Sequence, residues 1–202
     1  MADMTIIEII RDSLDNRKLN TIDNSESRHI HASVLIPLFI EDSQYRVLFT
    51  KRTDRVEHHK GQISFPGGAV DKEDGSLEET ALREAYEEIG LLKKDVELLG
   101  RIDDMLTLVS DFIVHPFVGR IPYPYPFKIN PHEVDSIIII PLYVFMDKRS
   151  GHIKDSIEVN GFTYNGTSYE YQGHVIWGAT ARIMENFIRI IGENLCLPGK
   201  GE

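Results

Sequence analysis

Apolar residues recur at helical spacing over residues 5–14, at Ile6, Ile7, Ile9, Ile10 and Leu14, so the chain opens on a predicted amphipathic helix. Asn16 to Ser27 is polar and reads as a linker, which makes that helix an expected appendage. From His31 the pattern shortens. Residues 31–40 and 45–51 read as two strands joined through Glu41-Asp42-Ser43-Gln44, a predicted hairpin. Residues 52–60 are charged and loop-like and lead into Gly61-Gln-Ile-Ser-Phe-Pro-Gly-Gly68.

Ser76 is a predicted helix N-cap, with Glu79 three residues on completing a capping box, and Gly90 is the stop signal. On that helix Leu82, Ala85, Tyr86 and Ile89 fall on one side, and Glu84, Glu87 and Glu88 on the other. The helix is expected to dock by its apolar side and to present its carboxylates to a cleft. Downstream, strands are predicted at 96–102, 112–120 and 136–140, then a short helix near 141–147. Strands near 152–159 and 168–177 precede a final amphipathic helix over 179–194. Strands interspersed with two internal helices predict an α/β fold of the α+β kind, a mixed sheet between helices. The expected organisation is an N-terminal helix and linker over 1–28, a main domain over 29–195 and a frayed tail over 196–202.

Composition narrows the class. A length of 202 residues suits one sizeable domain with a well-buried core. The formal net charge of −10 argues against nucleic acid or an anionic membrane as a general partner. The single cysteine, Cys196, cannot form an intrachain disulfide and is given no role. The longest apolar run, Ile137 to Met146, is interrupted by Pro141 and too short to span a bilayer, and no signal peptide is apparent. A cytoplasmic protein is expected.

The chemistry is concentrated in Arg83-Glu-Ala-Tyr-Glu-Glu-Ile-Gly-Leu91. Glu84, Glu87 and Glu88 stand at i, i+3 and i+4, where like charges repel by a few tenths of a kcal/mol per pair. No lysine lies between Gly75 and Leu92 to relieve them. Carboxylates so gathered offer oxygen ligands to a hard divalent cation. Arg83 lies four residues from both Glu79 and Glu87, which predicts an orienting salt bridge. Gly67 and Gly68 are expected to let the preceding loop turn tightly below the carboxylates.

From Gly68, five residues lead to Asp74, and eight more to the Arg83–Leu91 segment. This resembles the Nudix box, G-x5-E-x7-REUxEExGU, with Asp74 in place of the usual Glu and one extra residue before Arg83. Leu48-Phe-Thr-Lys-Arg-Thr53 followed by Gly61-Gln-Ile-Ser-Phe-Pro-Gly-Gly68 resembles the additional motif of the coenzyme A pyrophosphatase subgroup, matching at Thr50, Arg52, Gly61, Phe65, Pro66, Gly67 and Gly68. Thr53 replaces a Ser/Ala there and Glu57 replaces an Arg, while Arg55, His58, His59 and Lys60 keep the loop basic. Asn130-Pro-His-Glu-Val134 and Ile176-Trp-Gly-Ala-Thr-Ala181 resemble two further elements of the subgroup.

The resemblance implies a Nudix α/β/α sandwich that hydrolyses the diphosphate of coenzyme A or its derivatives to 3′,5′-ADP and 4′-phosphopantetheine. It implies Mg²⁺, with Mn²⁺ as a substitute, held by Glu84, Glu87 and Glu88, and a water activated by Glu84 or Glu133. Substrate contacts fall to Arg52, Gly61, Phe65, Gly67 and Gly68. Glu57 leaves open an alternative in which the substrate is ADP-ribose, NADH or another nucleoside diphosphate derivative. A non-catalytic Nudix-fold binding module is a further alternative, against which the three retained carboxylates stand. Of the lesser candidates, His58 and His59 read as a solvated loop or a phosphate contact. Tyr123-Pro-Tyr-Pro-Phe127 reads as a stiff extended turn or an adenine stack, and Trp177 as core. The N-terminal helix is expected either to pack on the domain or to mediate a homodimer.

Overall fold

The computed structural model describes residues 5–23, 28–53, 61–107, 111–146, 156–159 and 161–192. Helix α1 (Ile6–Asp15) precedes a long hairpin, β1 (Ile30–Glu41) and β2 (Gln44–Arg52). Two very short strands follow, β3 (Ile63–Ser64) and β4 (Gly67–Ala69), and then helix α2 (Leu77–Ile89). After it come β5 (Glu97–Arg101), β6 (Met105–Leu106), β7 (Phe112–Arg120) and β8 (Val134–Pro141), then the one-turn helix α3 (Tyr143–Met146). The chain continues through β9 (Ser156–Val159), β10 (Phe162–Asn165), β11 (Tyr169–Tyr171) and β12 (His174–Ile176) into α4 (Gly178–Gly192).

Eight strands form one mixed sheet with the spine β3-β2-β1-β7-β5, to which β4 adds on β1, β6 on β7 and β8 on β2. β1 and β7 run parallel, Ser33 opposite His115, whereas the pairings with β2, β4 and β5 are antiparallel. Alternation along the central strands decides the layers. Leu35 and Phe39 of β1 and Leu48 of β2 point to one face, where they pack with Ala81, Ala85 and Ile89 of α2. Ile36, Leu38, Val47 and Phe49 point to the other, where they join Ile7, Ile10 and Leu14 of α1 and Ala181, Met184 and Phe187 of α4. The result is the mixed α/β fold, a sheet between helices, that the pattern predicts.

Two expectations are corrected. The first helix is integral rather than an appendage: Ile10 is fully buried and Leu14 packs where a side chain on Gly100 would stand. The linker behind it is tied down as well, since Asn20 N–H donates to Asp103 (2.9 Å) and Ile22 N–H to Asp104 (2.9 Å). The strand expected over 168–177 is a hairpin, β11 and β12, because Gln172 and Gly173 adopt positive φ and reverse the chain. The strand expected near 152–159 appears in its described part as β9 and pairs with β10, which the sequence pattern does not announce. No helix among the described residues is long and apolar enough to cross a membrane.

Candidate active site

Helix α2 is set in place from both ends. Ser76 caps it, its Oγ accepting from Glu79 N–H at 3.1 Å. The expected capping box is only half formed, because the Glu79 carboxylate accepts from Gly75 N–H (2.9 Å) and from Lys93 (3.1 Å) instead of the cap's own N–H. Gly90, at φ 70°, ends the helix in the left-handed conformation with its N–H on Tyr86 C=O. Beyond it, Lys128 N–H and Asn130 N–H take the Ile89 and Glu88 carbonyls (both 2.9 Å), which fastens the 127–134 segment to the helix end.

The three carboxylates do not share one exposed face. Docking uses Ala81, Ala85, Glu88 and Ile89, at i, i+4, i+7 and i+8, so Glu88 goes inward and is 1% exposed. Tyr86, expected to dock, is exposed and lines an open groove of about 440 Å³ with Leu82, Arg83 and Leu92. Glu87 stays at the outer edge and pairs with Arg83 at 2.9 Å. Glu84 lies between them, its carboxylate against Gly68, where an added Cβ would fall 2.4 Å from Glu84 Cδ. Gly67 and Gly68 therefore do not form a tight turn. They lie in β4, paired with Val34 and Ser33 of β1, and are small because backbone and carboxylate press on them.

Arg83 is the organiser of this edge. Its Nη1 donates to Glu84 (2.8 Å) and Glu87 (2.9 Å), its Nε and Nη2 to the two oxygens of Asp74 (2.9 and 3.0 Å), and Nη2 also to Ala69 C=O (3.2 Å). The predicted pair with Glu79 is absent, since Lys93 has taken that carboxylate. Hydrogen bonds from Arg83 hold the Asp74 carboxyl well below the usual carboxylate range.

Around Glu88 the electrostatics run the other way. Burial pushes its carboxyl up to about 8, against the pull of Arg52 and with the charges of Glu84 and Glu133 adding to the rise. Glu84 is raised too, by burial first, with Arg83 opposing and Glu87 and Glu133 reinforcing. Thr50 Oγ1 donates to Glu88 Oε2 (3.3 Å), and Arg52 Nη1 is 3.8 Å from Glu88 Oε1. Glu133 stands close enough for its charge to be felt by both Glu84 and Glu88, held by Asn130 Nδ2 at 3.1 Å. Glu84 thus feels both Glu87 and Glu133, and Glu88 feels Arg52, Glu84 and Glu133, while Glu87 keeps to the outer edge on Arg83.

Other expected contacts fall elsewhere. Phe65 is core, 2% exposed and stacked on Phe49 at 4.9 Å, so its face is not free for substrate. Gly61, at φ 65°, begins the described residues after the basic loop. Glu57, with Arg55, His58, His59 and Lys60, lies outside the described residues, as does Cys196. Tyr123 stacks on Phe39 at 4.3 Å and Tyr125 donates to Asp95 (2.8 Å), which gives these rings a structural use. Trp177 is half-buried between β12 and α4. Thr50 and Asn130, which hold Glu88 and Glu133, were within reach of sequence reasoning because both belong to motif segments.

A model of the NUDIX domain matches residues 29–154, more than half of the chain. The chain belongs to the Nudix hydrolase family. It is 36% identical over 154 residues to the uncharacterized Nudix hydrolase NudL of Photorhabdus laumondii, covering 76% of this chain and 81% of that protein. It is 38% identical over 154 residues to NudL of Yersinia enterocolitica, covering 76% and 77%. Among solved structures it resembles a MutT/nudix protein from Enterococcus faecalis, with a TM-score of 0.56 at 15% identity over 88% of this chain and 66% of that one. It also resembles a MutT protein from Methanosarcina mazei, at TM-score 0.52 and 16% identity over 89% and 99%. At these identities the structures speak for the fold.

Nudix hydrolases generally use divalent metal ions. Among the described residues no three acidic, histidine or cysteine side chains stand round one point as a finished cage. The donor set nevertheless fits a hard cation. Glu84, Glu88 and Glu133 offer oxygen alone. Among the described residues, Arg52, at 3.8 Å from Glu88, and Arg83, on Glu84, are the cations paired with the first two.

Proposed function

We propose that this Nudix hydrolase cleaves the diphosphate of coenzyme A or a coenzyme A derivative, yielding 3′,5′-ADP and 4′-phosphopantetheine or its acylated form. The observation that carries the reading is Glu88, almost fully buried, with Glu84 and Glu133 near enough for their charges to act on it, a gathering of oxygen donors that suits a hard divalent cation. Glu84 and Glu88 would hold Mg²⁺ or Mn²⁺, with Glu87 at the outer edge of the same site. Bound there, the ion would supply Lewis-acid polarisation of the phosphoryl oxygens and a lowered pKa for the attacking water. Glu133 or Glu84 takes the proton from that water as it attacks phosphorus in line. Arg83 positions Glu84 by its 2.8 Å hydrogen bond and Arg52 meets the diphosphate charge. The motif over 48–68 supports coenzyme A as substrate.

Charge reversal at Glu57 favours a second reading, with ADP-ribose, NADH or another nucleoside diphosphate derivative in the same site. Kinetics on coenzyme A, acetyl-coenzyme A, oxidised coenzyme A, ADP-ribose and NADH with Mg²⁺ and Mn²⁺ separate the two. The expected result is the highest kcat/KM for a coenzyme A compound, with ¹⁸O from water on one of the two phosphate products. A clear preference for ADP-ribose or NADH overturns the first reading.

A further inference from the structure

Arg52 ends β2 where the register against β8 shifts between Lys51 and Arg52. Such a bulge re-aims the side chain that follows it. The guanidinium stands 3.8 Å from Glu88 Oε1, an ion pair too long to be a hydrogen bond. Its Nε is buried and has no hydrogen-bond partner among the described residues. The other Glu88 oxygen is taken by Thr50, two residues back on the same strand. Arg52 therefore meets Glu88 by charge alone, and its Nε–H is unspent among the described residues. A planar guanidinium matches phosphate oxygens, which it binds two at a time.

We infer that Arg52 is an exchangeable counter-ion: it faces Glu88 while that carboxylate is without a divalent cation, and turns to the substrate's diphosphate oxygens once a cation takes Glu88. The inference rests on the proposed function in one respect, that Glu88 holds the cation. Its consequence is a coupling between two sites. Arg52 and a divalent cation compete for Glu88, and loss of that competition builds the anion site. Removing Arg52 should then tighten cation binding and weaken diphosphate binding. An Arg52 that merely props the fold would loosen both.

The test measures Mn²⁺ binding from the electron-spin signal of the free ion, and methylenediphosphonate binding by calorimetry with and without Mn²⁺. The variants are Arg52→Gln, Arg52→Lys and Lys51→Gln, each checked for folding by circular dichroism. Arg52→Gln is expected to bind Mn²⁺ up to about fivefold more tightly, the scale of a partly exposed ion pair. Its Mn²⁺-dependent gain in diphosphonate affinity should fall by about tenfold or more, the scale of a lost charge-assisted hydrogen bond. Arg52→Lys, with charge but no fork, should keep Mn²⁺ affinity near the parent's and lose most of the gain. Lys51→Gln removes the adjacent charge, which pairs with Asp135 at 3.8 Å, and should leave both quantities within about twofold of the parent. Unchanged or weaker Mn²⁺ binding by a folded Arg52→Gln overturns the handover, and so does an equal effect from Lys51→Gln. If the handover pattern appears and no coenzyme A compound is hydrolysed, the substrate reading falls and the handover stands.

Discussion

Gly67 and Gly68 are adjacent, share one short strand, and should fail in opposite ways when a single methyl group is added. At Gly68 the new Cβ falls 2.4 Å from Glu84 Cδ and 2.5 Å from both carboxylate oxygens. Ordinary contact begins near 3.4 Å, so the carboxylate must retreat by about 1 Å. It is the far end of a flexible side chain, so the retreat should cost less than about 1 kcal/mol of stability. A 1 Å misplacement of a catalytic group costs on the order of 10²-fold in rate. At Gly67 the methyl meets Ser33 O at 2.4 Å and Val34 Cα at 2.7 Å, backbone atoms of the central strand β1, which cannot give way. Overpacking of that kind costs roughly 1–3 kcal/mol or more, which is several degrees of melting temperature for a domain of this size. Scanning calorimetry in the presence of Mg²⁺ and steady-state hydrolysis on both variants give four numbers. Gly68→Ala should melt within a few degrees of the parent and lose about 10²-fold in kcat, and Gly67→Ala should melt well below both. Full activity in Gly68→Ala would refute the placement of Glu84 in the chemistry, and equal melting losses would refute the distinction between carboxylate and backbone as the obstacle.

Glu88→Gln should cut turnover by orders of magnitude with the fold intact by circular dichroism; near-normal hydrolysis would remove Glu88 from the cation site. Ile10→Ala, in a fully buried position of α1, should cost about 2–4 kcal/mol in urea unfolding. A loss below about 0.5 kcal/mol would return the helix to the status of an appendage. Burial, then the neighbouring His115, holds the His31 imidazole below its ordinary 6.5, against the pull of Asp104. The unfolded chain thus binds a proton there that the fold does not, so stability should fall as pH drops below 6.5. In EDTA, His31→Gln should flatten the melting-temperature profile between pH 6.5 and 5 relative to the parent, and parallel profiles would refute that assignment.

The sheet-and-helix order was legible because long strands and helices carry periodicity: β1, β2, β7, β8, α2 and α4 all fall where alternation or helical spacing puts them. The two-residue strands β3 and β6 and three-residue β4 were not, since so few residues have no measurable period. The docking of α1 was hidden for another reason. Its apolar stripe is visible, but its target includes Gly100, a gap that announces nothing in sequence. In the site, residue types were legible and orientation was not. Helical spacing alone leaves Glu87 and Glu88 equivalent members of one patch. What separates them is that Ala81 and Ala85 are small enough for α2 to lie close on the sheet, which turns Glu88 inward under Thr50 and leaves Glu87 to Arg83.

The two departures from the Nudix box meet beside the turn that leads into α2. Asp74 is one methylene shorter than the Glu it replaces, and one extra residue separates it from Arg83. The segment closes a turn, with Asp74 N–H on Asp71 C=O (3.2 Å) and Asp71 N–H back on Asp74 Oδ2 (2.9 Å). Thr80 Oγ1 donates to the same oxygen (2.8 Å). Held there, the shorter side chain reaches both Nε and Nη2 of Arg83. That leaves Nη1 free for Glu84 and Glu87, the two carboxylates it has to orient. Asp74→Glu restores the box's usual residue without removing the extra one, so it should push Arg83 out of place. The expected outcome is a fall in kcat larger than the fall in melting temperature, and a gain of activity would show that the two departures are independent.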